Sequence, residues 1–365
     1  MINNQLRDNS KIRVLLTGAS GYLAGHVLNN LLERGYKVRG TVRSLQNLKK
    51  VDHLYKINPS KSSNLQLVEA DLSNKESWDA VMKDVDYVIH TASPFPQTVP
   101  KNENDLIKPA VQGTEAVFEA AIKHGVKKIV MTSSIASVFT GVTSKNCFTS
   151  DDWSNLDQCP PYEKSKTLAE KKAWEIYEKN RSKIQMTIIL PGFIQGPSFH
   201  QNGYVSADFV LKVMKNEIPG IPKVSFATID VRDCALAHVI PLDEDKLELT
   251  NGKRYILTEG TYWMYDLIQI LKEEFSQYKY KFASFTLESK LLFNLAGCVD
   301  KQVDLIKPFF KRRIIFDNTP TIKDLNINFR FHKTTLIDFA YDLINKGCIP
   351  NKLPKDGKIS PEKKC

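Results

Sequence analysis

A phenol and an ammonium stand four residues apart in Tyr162-Glu163-Lys164-Ser165-Lys166. The run continues as Thr167-Leu168-Ala169-Glu170-Lys171-Lys172-Ala173-Trp174, rich in good helix formers, so the two groups share one helix face. Tyrosine ordinarily titrates near ~10 and exchanges protons poorly at neutral pH, whereas a neighbouring cation stabilises the phenolate and lowers that value. Tyr162 and Lys166 thus read as a proton donor and the group that tunes it. Taken alone, the spacing is equally that of a solvated helix face with an exposed lysine. Upstream, Met131-Thr132-Ser133-Ser134 closes a strand-like run and offers a hydroxyl, from one serine or the other, at the carboxyl edge of a sheet. Substrates of open α/β folds bind at that edge.

A second constellation binds instead of reacting. Thr17-Gly18-Ala19-Ser20-Gly21-Tyr22-Leu23-Ala24-Gly25 follows the aliphatic run Ile12 to Leu16 and opens a helix-like segment, Tyr22 to Glu33. Strand, glycine turn and helix in this order let backbone amides approach a pyrophosphate, and the helix N-terminus favours the anion. Small Ala24 in the third slot permits close packing. The dinucleotide contacts expected here are Gly18, Ser20, Gly21, Tyr22 and Leu23; a tight turn without a ligand is the plainer reading. A free ribose 2′-hydroxyl would call for an Asp or Glu about 20 residues further on. The chain instead reads Val38-Arg39-Gly40-Thr41-Val42-Arg43-Ser44. A guanidinium at Arg43 suits a 2′-phosphate, with Lys50 as a second cation, so these residues favour NADP over NAD. As ordinary surface charges they would need no ligand. Asp71-Leu72 is placed to meet adenine, or Asp71 simply caps a helix, and Thr91-Ala92-Ser93 is placed to line the dinucleotide.

The elements that must position these groups are legible as alternation. Strands are expected at Lys37 to Val42, Leu65 to Glu69, Tyr87 to His90, Lys128 to Thr132 and Met186 to Leu190, each separated by room for a crossover helix. Their continuous apolar character predicts an α/β doubly wound parallel sheet, Rossmann-like, covered on both faces. Beyond Pro191, the residues Pro197, Pro219, Pro222 and several glycines break the rhythm. A strand near Arg254 to Thr258 and helices over Tyr262 to Phe275 and Thr334 to Lys346 follow. The expected organisation is a flexible segment 1–10, a dinucleotide-binding domain 11–191, and a smaller mixed α/β substrate lobe 192–350 with segments returning to the first domain. A loose tail, 351–365, carries five lysines.

Composition sets the outer bounds. With 365 residues, 42% apolar and 25% charged, the chain supports a full core and is not a disordered protein. The net charge of +10 is scattered, without the aromatic-interleaved basic motif of a nucleic-acid binder. No apolar stretch approaches the ~18 residues of a membrane span, and Met1 to Ser10 lacks the apolar centre of a secretory signal, so a cytoplasmic location is expected. The six cysteines and seven histidines show no metal-ligand spacing, so no metal is expected.

Together these residues resemble the extended short-chain dehydrogenase/reductases. The ordered set is TGASGYLAG, TVRS followed by LKK, IHTASPF, PAVQGT, MTSS, YEKSK, LPGFIQGP and DVRDCALAH, and it covers nearly the whole chain. The branch it is most similar to holds the dihydroflavonol reductases, cinnamoyl-CoA reductases and methylglyoxal/aldehyde reductases, which reduce carbonyls with NADPH. The resemblance implies Ser134, Tyr162 and Lys166 as the catalytic triad, Arg43 and Lys50 at the 2′-phosphate, and Pro191 to Ile194 as backbone meeting the nicotinamide. It departs at Ala110, ahead of Gly113-Thr114, where many members carry an Asn, so a four-residue proton relay is not expected.

The function expected is NADPH-dependent reduction of an aldehyde or ketone, or its reverse, on a small-molecule substrate by a monomer or homodimer. Pro94, Phe95, Phe193, Tyr204 and Phe226 are candidate substrate walls, individually also plain core residues. The rivals are an NAD-dependent epimerase, dehydratase or 3β-hydroxysteroid dehydrogenase, which Arg43 argues against, and a non-catalytic dinucleotide sensor, which retention of Tyr162 and Lys166 argues against. Asp230 to Asp233 reads as structural, a buried charge pair or a helix cap.

Overall fold

The structure, a computed structural model, describes residues 8–94, 102–199, 207–289 and 309–354, without the side chains of Lys49 and Lys50. The first half of the chain alternates as β1 (Arg13–Thr17), α1 (Tyr22–Glu33), β2 (Lys37–Val42), α2 (Leu48–Tyr55), β3 (Leu65–Glu69), α3 (Ser77–Val81), β4 (Tyr87–His90), α4 (Asn104–Lys123) and β5 (Lys128–Thr132). The middle adds α5 (Ala136–Phe139), β6 (Cys147–Phe148), α6 (Pro161–Lys179), β7 (Gln185–Pro191), β8 (Phe193–Gln195), α7 (Asp208–Met214), β9 (Ile221–Pro222), β10 (Ser225–Asp230) and α8 (Val231–Val239). Last come β11 (Lys253–Leu257), β12 (Gly260–Trp263), α9 (Met264–Phe275), β13 (Thr286–Leu287), β14 (Ile315–Phe316), α10 (Thr319–Leu325) and α11 (His332–Asn345).

Seven strands form one parallel sheet in the order β11-β7-β5-β4-β1-β2-β3. The chain reverses its winding between β1 and β4, and the carboxyl ends of those strands open the crevice where such folds bind ligands. Strand alternation sends neighbours to opposite faces. Leu16 joins Val27, Leu31 and Cys234 under α1 and α8, while Leu15 joins Phe118, Ala173 and Ile188 under α4 and α6. Both faces are covered, which is the doubly wound Rossmann-like class read from the sequence.

A third apolar cluster stands apart. Val210 and Val213 of α7, Leu267, Leu271 and Phe275 of α9, and Phe339 and Leu343 of α11 build it. A small sheet, β12-β10-β8, lies beside it, with β8 parallel and β12 antiparallel to β10. Two expectations shift here. The helix expected from Tyr262 begins at Met264, because Tyr262 pairs with Phe226 across β12 and β10. The strand expected near Arg254 to Thr258 is β11, and it extends the large sheet beside β7.

Candidate active site

The glycine turn is held from two sides. The Gly18 amide donates to Thr41 Oγ1 at 3.0 Å and the Ala19 amide to the Thr41 carbonyl at 2.9 Å, fixing the turn to the end of β2. Gly18 has φ +65°, and a Cβ there would press within 3.1 Å of Ala92, so both backbone and space call for glycine. Gly21 caps α1 with no side chain on the first-turn amides, which leaves those donors to an anion. Ser20 is half-buried beside them, Leu23 is core, and the Tyr22 hydroxyl donates to the Gly196 carbonyl at 2.7 Å.

On the β4 side, the Thr91 hydroxyl donates to the Thr17 carbonyl at 2.5 Å and the Ala92 amide to Thr17 Oγ1 at 3.0 Å. Ser93 and Pro94 continue that edge, half-buried. Arg43 is exposed just beyond β2, with no salt bridge among the described residues. Asp71 accepts from the amide and hydroxyl of Ser73 and so closes a turn ahead of α3, whose N-cap is Glu76, instead of capping a helix itself; these bonds lower its pKa. Leu72 packs on α4 at Gly113. The second cation expected at the phosphate, Lys50, lies outside the described side chains.

The adjacent serines Ser133 and Ser134 have different surroundings. Ser133 is buried, and its hydroxyl donates to Glu170 Oε2 at 2.5 Å. Ser134 is half-buried, and its Oγ accepts the Ala136 amide at 3.1 Å, which leaves its own proton to be donated elsewhere. Glu170, fully buried on α6, also accepts from Ser137 at 2.6 Å and from Arg254 Nε of β11 at 2.6 Å. Arg254 in turn lies 3.9 Å from the Trp153 ring centroid. This buried knot binds the helix of Tyr162 and Lys166 to the serine turn after β5. The sequence reading missed it, although Glu170 sits one helical turn past Lys166.

Tyr162 and Lys166 both occupy α6, whose first residue is Pro161. Lys166 is 7% exposed, and among the described residues no hydrogen bond or ion pair holds its ammonium. Burial brings its pKa down to about 8, with Glu170 opposing. Burial, helped by the same charge, holds His90 at the end of β4 down to about 3. The phenol moves opposite to the sequence expectation: burial first, and the Glu163 carboxyl second, push Tyr162 above its ordinary value. Desolvation is the larger of the two causes. Tyr162 is therefore a neutral phenol, the form that can give a proton.

Ser134 and Tyr162 line one cavity of about 300 Å³, together with Gly192, Phe193, Ile194 and Phe226. Gly192 joins β7 to β8, and a Cβ on it would collide with the Ala227 carbonyl, so only glycine lets the chain pass this close to β10. Phe193 and Phe226, both expected as walls, have ring centroids 5.2 Å apart. Phe139, Phe309 and Phe316 add walls that the sequence reading did not foresee. Phe95 and Tyr204, also expected there, lie outside the described residues. Among the described residues no cluster of His, Cys, Asp or Glu could hold a metal, and no helix is long and apolar enough to cross a membrane.

The sequence profile of the NAD dependent epimerase/dehydratase family matches residues 14–252, from β1 to the approach to β11. The chain belongs to this family. Cinnamoyl-CoA reductase 2 of Arabidopsis thaliana is 32% identical over 354 residues, covering 94% of this chain and 95% of the plant protein. The NADPH-dependent methylglyoxal reductase GRE2 of Saccharomyces cerevisiae is 30% identical over 358 residues, 91% of this chain and 98% of that protein. Among solved structures, yeast methylglyoxal/isovaleraldehyde reductase Gre2 complexed with NADPH superposes with a TM-score of 0.76 at 28% identity, over 93% of this chain and 100% of that one.

The groove fits a dinucleotide on its own terms. An uncapped helix N-terminus, a glycine whose Cβ would crowd Ala92, an exposed guanidinium past β2 and a buried ammonium without a partner among the described residues are the features such a molecule needs.

Proposed function

We propose that this protein reduces an aldehyde or ketone to an alcohol with NADPH, or catalyses the reverse, in the cavity between the large sheet and the small one. The observation that carries this reading is the convergence of Ser134 and Tyr162 on one apolar cavity, with the buried Lys166 one helical turn behind the phenol. The glycine turn, Arg43 and the NADPH-dependent relative GRE2 support the cofactor.

NADPH, when bound, supplies the hydride that the carbonyl carbon accepts. The chain's own residues act on the oxygen. Ser134, whose Oγ is oriented by the Ala136 amide, donates its proton toward the carbonyl oxygen and stabilises charge developing there. Tyr162 gives its proton to the same oxygen, so hydride and proton together add two hydrogens across the C=O bond. Lys166 stabilises the phenolate left behind, and its ammonium is available to ribose hydroxyls. The aromatic walls exclude water from the reacting atoms. Pro191 to Ile194 are proposed to face the nicotinamide, and the lobe around the third core to admit the substrate. A cytoplasmic setting belongs to the same proposal, supported by the free thiols of Cys147, Cys159, Cys234 and Cys348.

Replacing Tyr162 by Phe tests the central role. Aldehyde-dependent oxidation of NADPH should fall about 10²- to 10⁴-fold, with the NADPH dissociation constant within about twofold of wild type. Turnover above a tenth of wild type would remove Tyr162 from the proton-transfer step.

A further inference from the structure

One polar group of the cavity has no part in that chemistry. Glu163, the residue after Tyr162 and the third of α6, lines the same space and is half-buried. Its carboxyl is close enough to the phenol and to Cys159 to raise the pKa of both. Among the described residues no cation pairs with it, and its own backbone amide is the contact that favours its charged form. Two cations of this region are committed elsewhere: Lys164 Nζ reaches Glu103 at 2.9 Å, and Arg312 Nη2 donates to the Val142 carbonyl at 2.9 Å.

The other hydroxyls on the wall are also committed. Ser225 donates to the Arg312 carbonyl at 2.8 Å and Thr261 to the Ile314 carbonyl at 2.6 Å. Beyond the reacting pair Ser134 and Tyr162, Glu163 is thus the side chain among the described lining residues with hydrogen-bonding capacity left over. Apart from these hydroxyls, the described lining is aliphatic or aromatic. A carboxyl in such surroundings gains from any donor a ligand brings and is penalised by any second negative charge, because little solvent screens either.

We infer that Glu163 sets the substrate class of this pocket: it selects carbonyl compounds that carry an additional hydrogen-bond donor, such as a hydroxyl, and rejects those that carry a carboxylate. This rests on reading the cavity as the carbonyl site. Burial holds the Glu163 pKa up at about 7. Both protonation states accept a hydrogen bond, and only the ionised one repels an anion. Rejection by an unscreened like charge is the negative half of such selectivity. An acid in the first turn of a helix also interacts with the helix dipole, but that role alone would leave substrate preference untouched.

The experiment compares three near-isosteric aldehydes, 4-methyl-, 4-(hydroxymethyl)- and 4-carboxybenzaldehyde, with the wild-type protein, Glu163→Gln and Glu163→Leu. NADPH oxidation gives kcat/KM for each, expressed relative to the methyl compound. Calorimetry on the NADP⁺-saturated protein gives the dissociation constants of the matching benzyl alcohols, a reading independent of turnover. Wild type should favour the hydroxymethyl compound and discriminate against the carboxylate, each by about tenfold. Glu163→Gln, which keeps an acceptor and loses the charge, should relieve the carboxylate rejection and retain part of the hydroxymethyl preference. Glu163→Leu should lose both. Ratios within twofold of wild type in both variants overturn the assignment. Binding ratios that follow this pattern in a protein that reduces none of the aldehydes uphold Glu163 as the selector and overturn the reductase reading instead.

Discussion

At the scale of single residues, Arg43 is the most direct test of cofactor choice, because it is exposed and makes no salt bridge among the described residues. Arg43→Ala should weaken NADPH binding about 10- to 100-fold, the worth of charge-assisted hydrogen bonds to a phosphate, and leave NADH binding nearly unchanged. Equal losses for the two cofactors, measured by fluorescence titration, would refute the phosphate assignment. Glu163 supplies a second test through stability. Its folded pKa, about 7, lies above the ordinary 4.5. The stability it contributes is full below pH 4.5 and is lost as pH rises through 7. Glu163→Gln should therefore be more stable, relative to wild type, at pH 8 than at pH 4.5, by about 1–3 kcal/mol in denaturant titrations. A difference independent of pH would mean that the carboxyl is well solvated. The tyrosine, the lysine and the glycine turn were legible because their chemistry is local to one segment. The motif's spacing to Tyr162 favours Ser134 over Ser133; the reason Ser133 is engaged was not legible, since it is a carboxylate more than thirty residues away in the chain.

At the scale of elements, the strands β2, β3, β4 and β5 and the helix α1 occupy the ranges their apolar runs and glycine punctuation indicate. Parallel strands covered on both faces announce themselves by composition, which is why this half was easy to read. The small strands were not. Cys147–Phe148 and Ile315–Phe316 pair with each other across a separation no periodicity records, and they carry Phe316 to the cavity wall. The knot of Glu170, Ser133, Ser137 and Arg254 decides how α6 meets β5. Truncating one partner of a buried ion pair strands the other, so Glu170→Ala should cost about 3–5 kcal/mol in chemical denaturation. A loss below about 1 kcal/mol would show that solvent reaches Arg254 and that the knot is dispensable.

For the whole molecule, separate apolar clusters imply separable effects. Leu271 of α9 is fully buried in the third cluster, away from the glycine turn. Leu271→Ala should cost about 2–5 kcal/mol of stability and raise the KM for the carbonyl compound, with the NADPH dissociation constant unchanged. A comparable loss of NADPH affinity would show that the clusters behave as one cooperative body. The position of Lys166 has a thermodynamic consequence for ligand uptake. An ammonium brought down to about 8 by burial, against the opposing Glu170, is partly deprotonated in mildly alkaline buffer. An anionic dinucleotide arriving beside it would raise its proton affinity. Association near pH 8 should then draw a fraction of a proton from solution, and the calorimetric heat should depend on the ionisation enthalpy of the buffer, differing between Tris and phosphate.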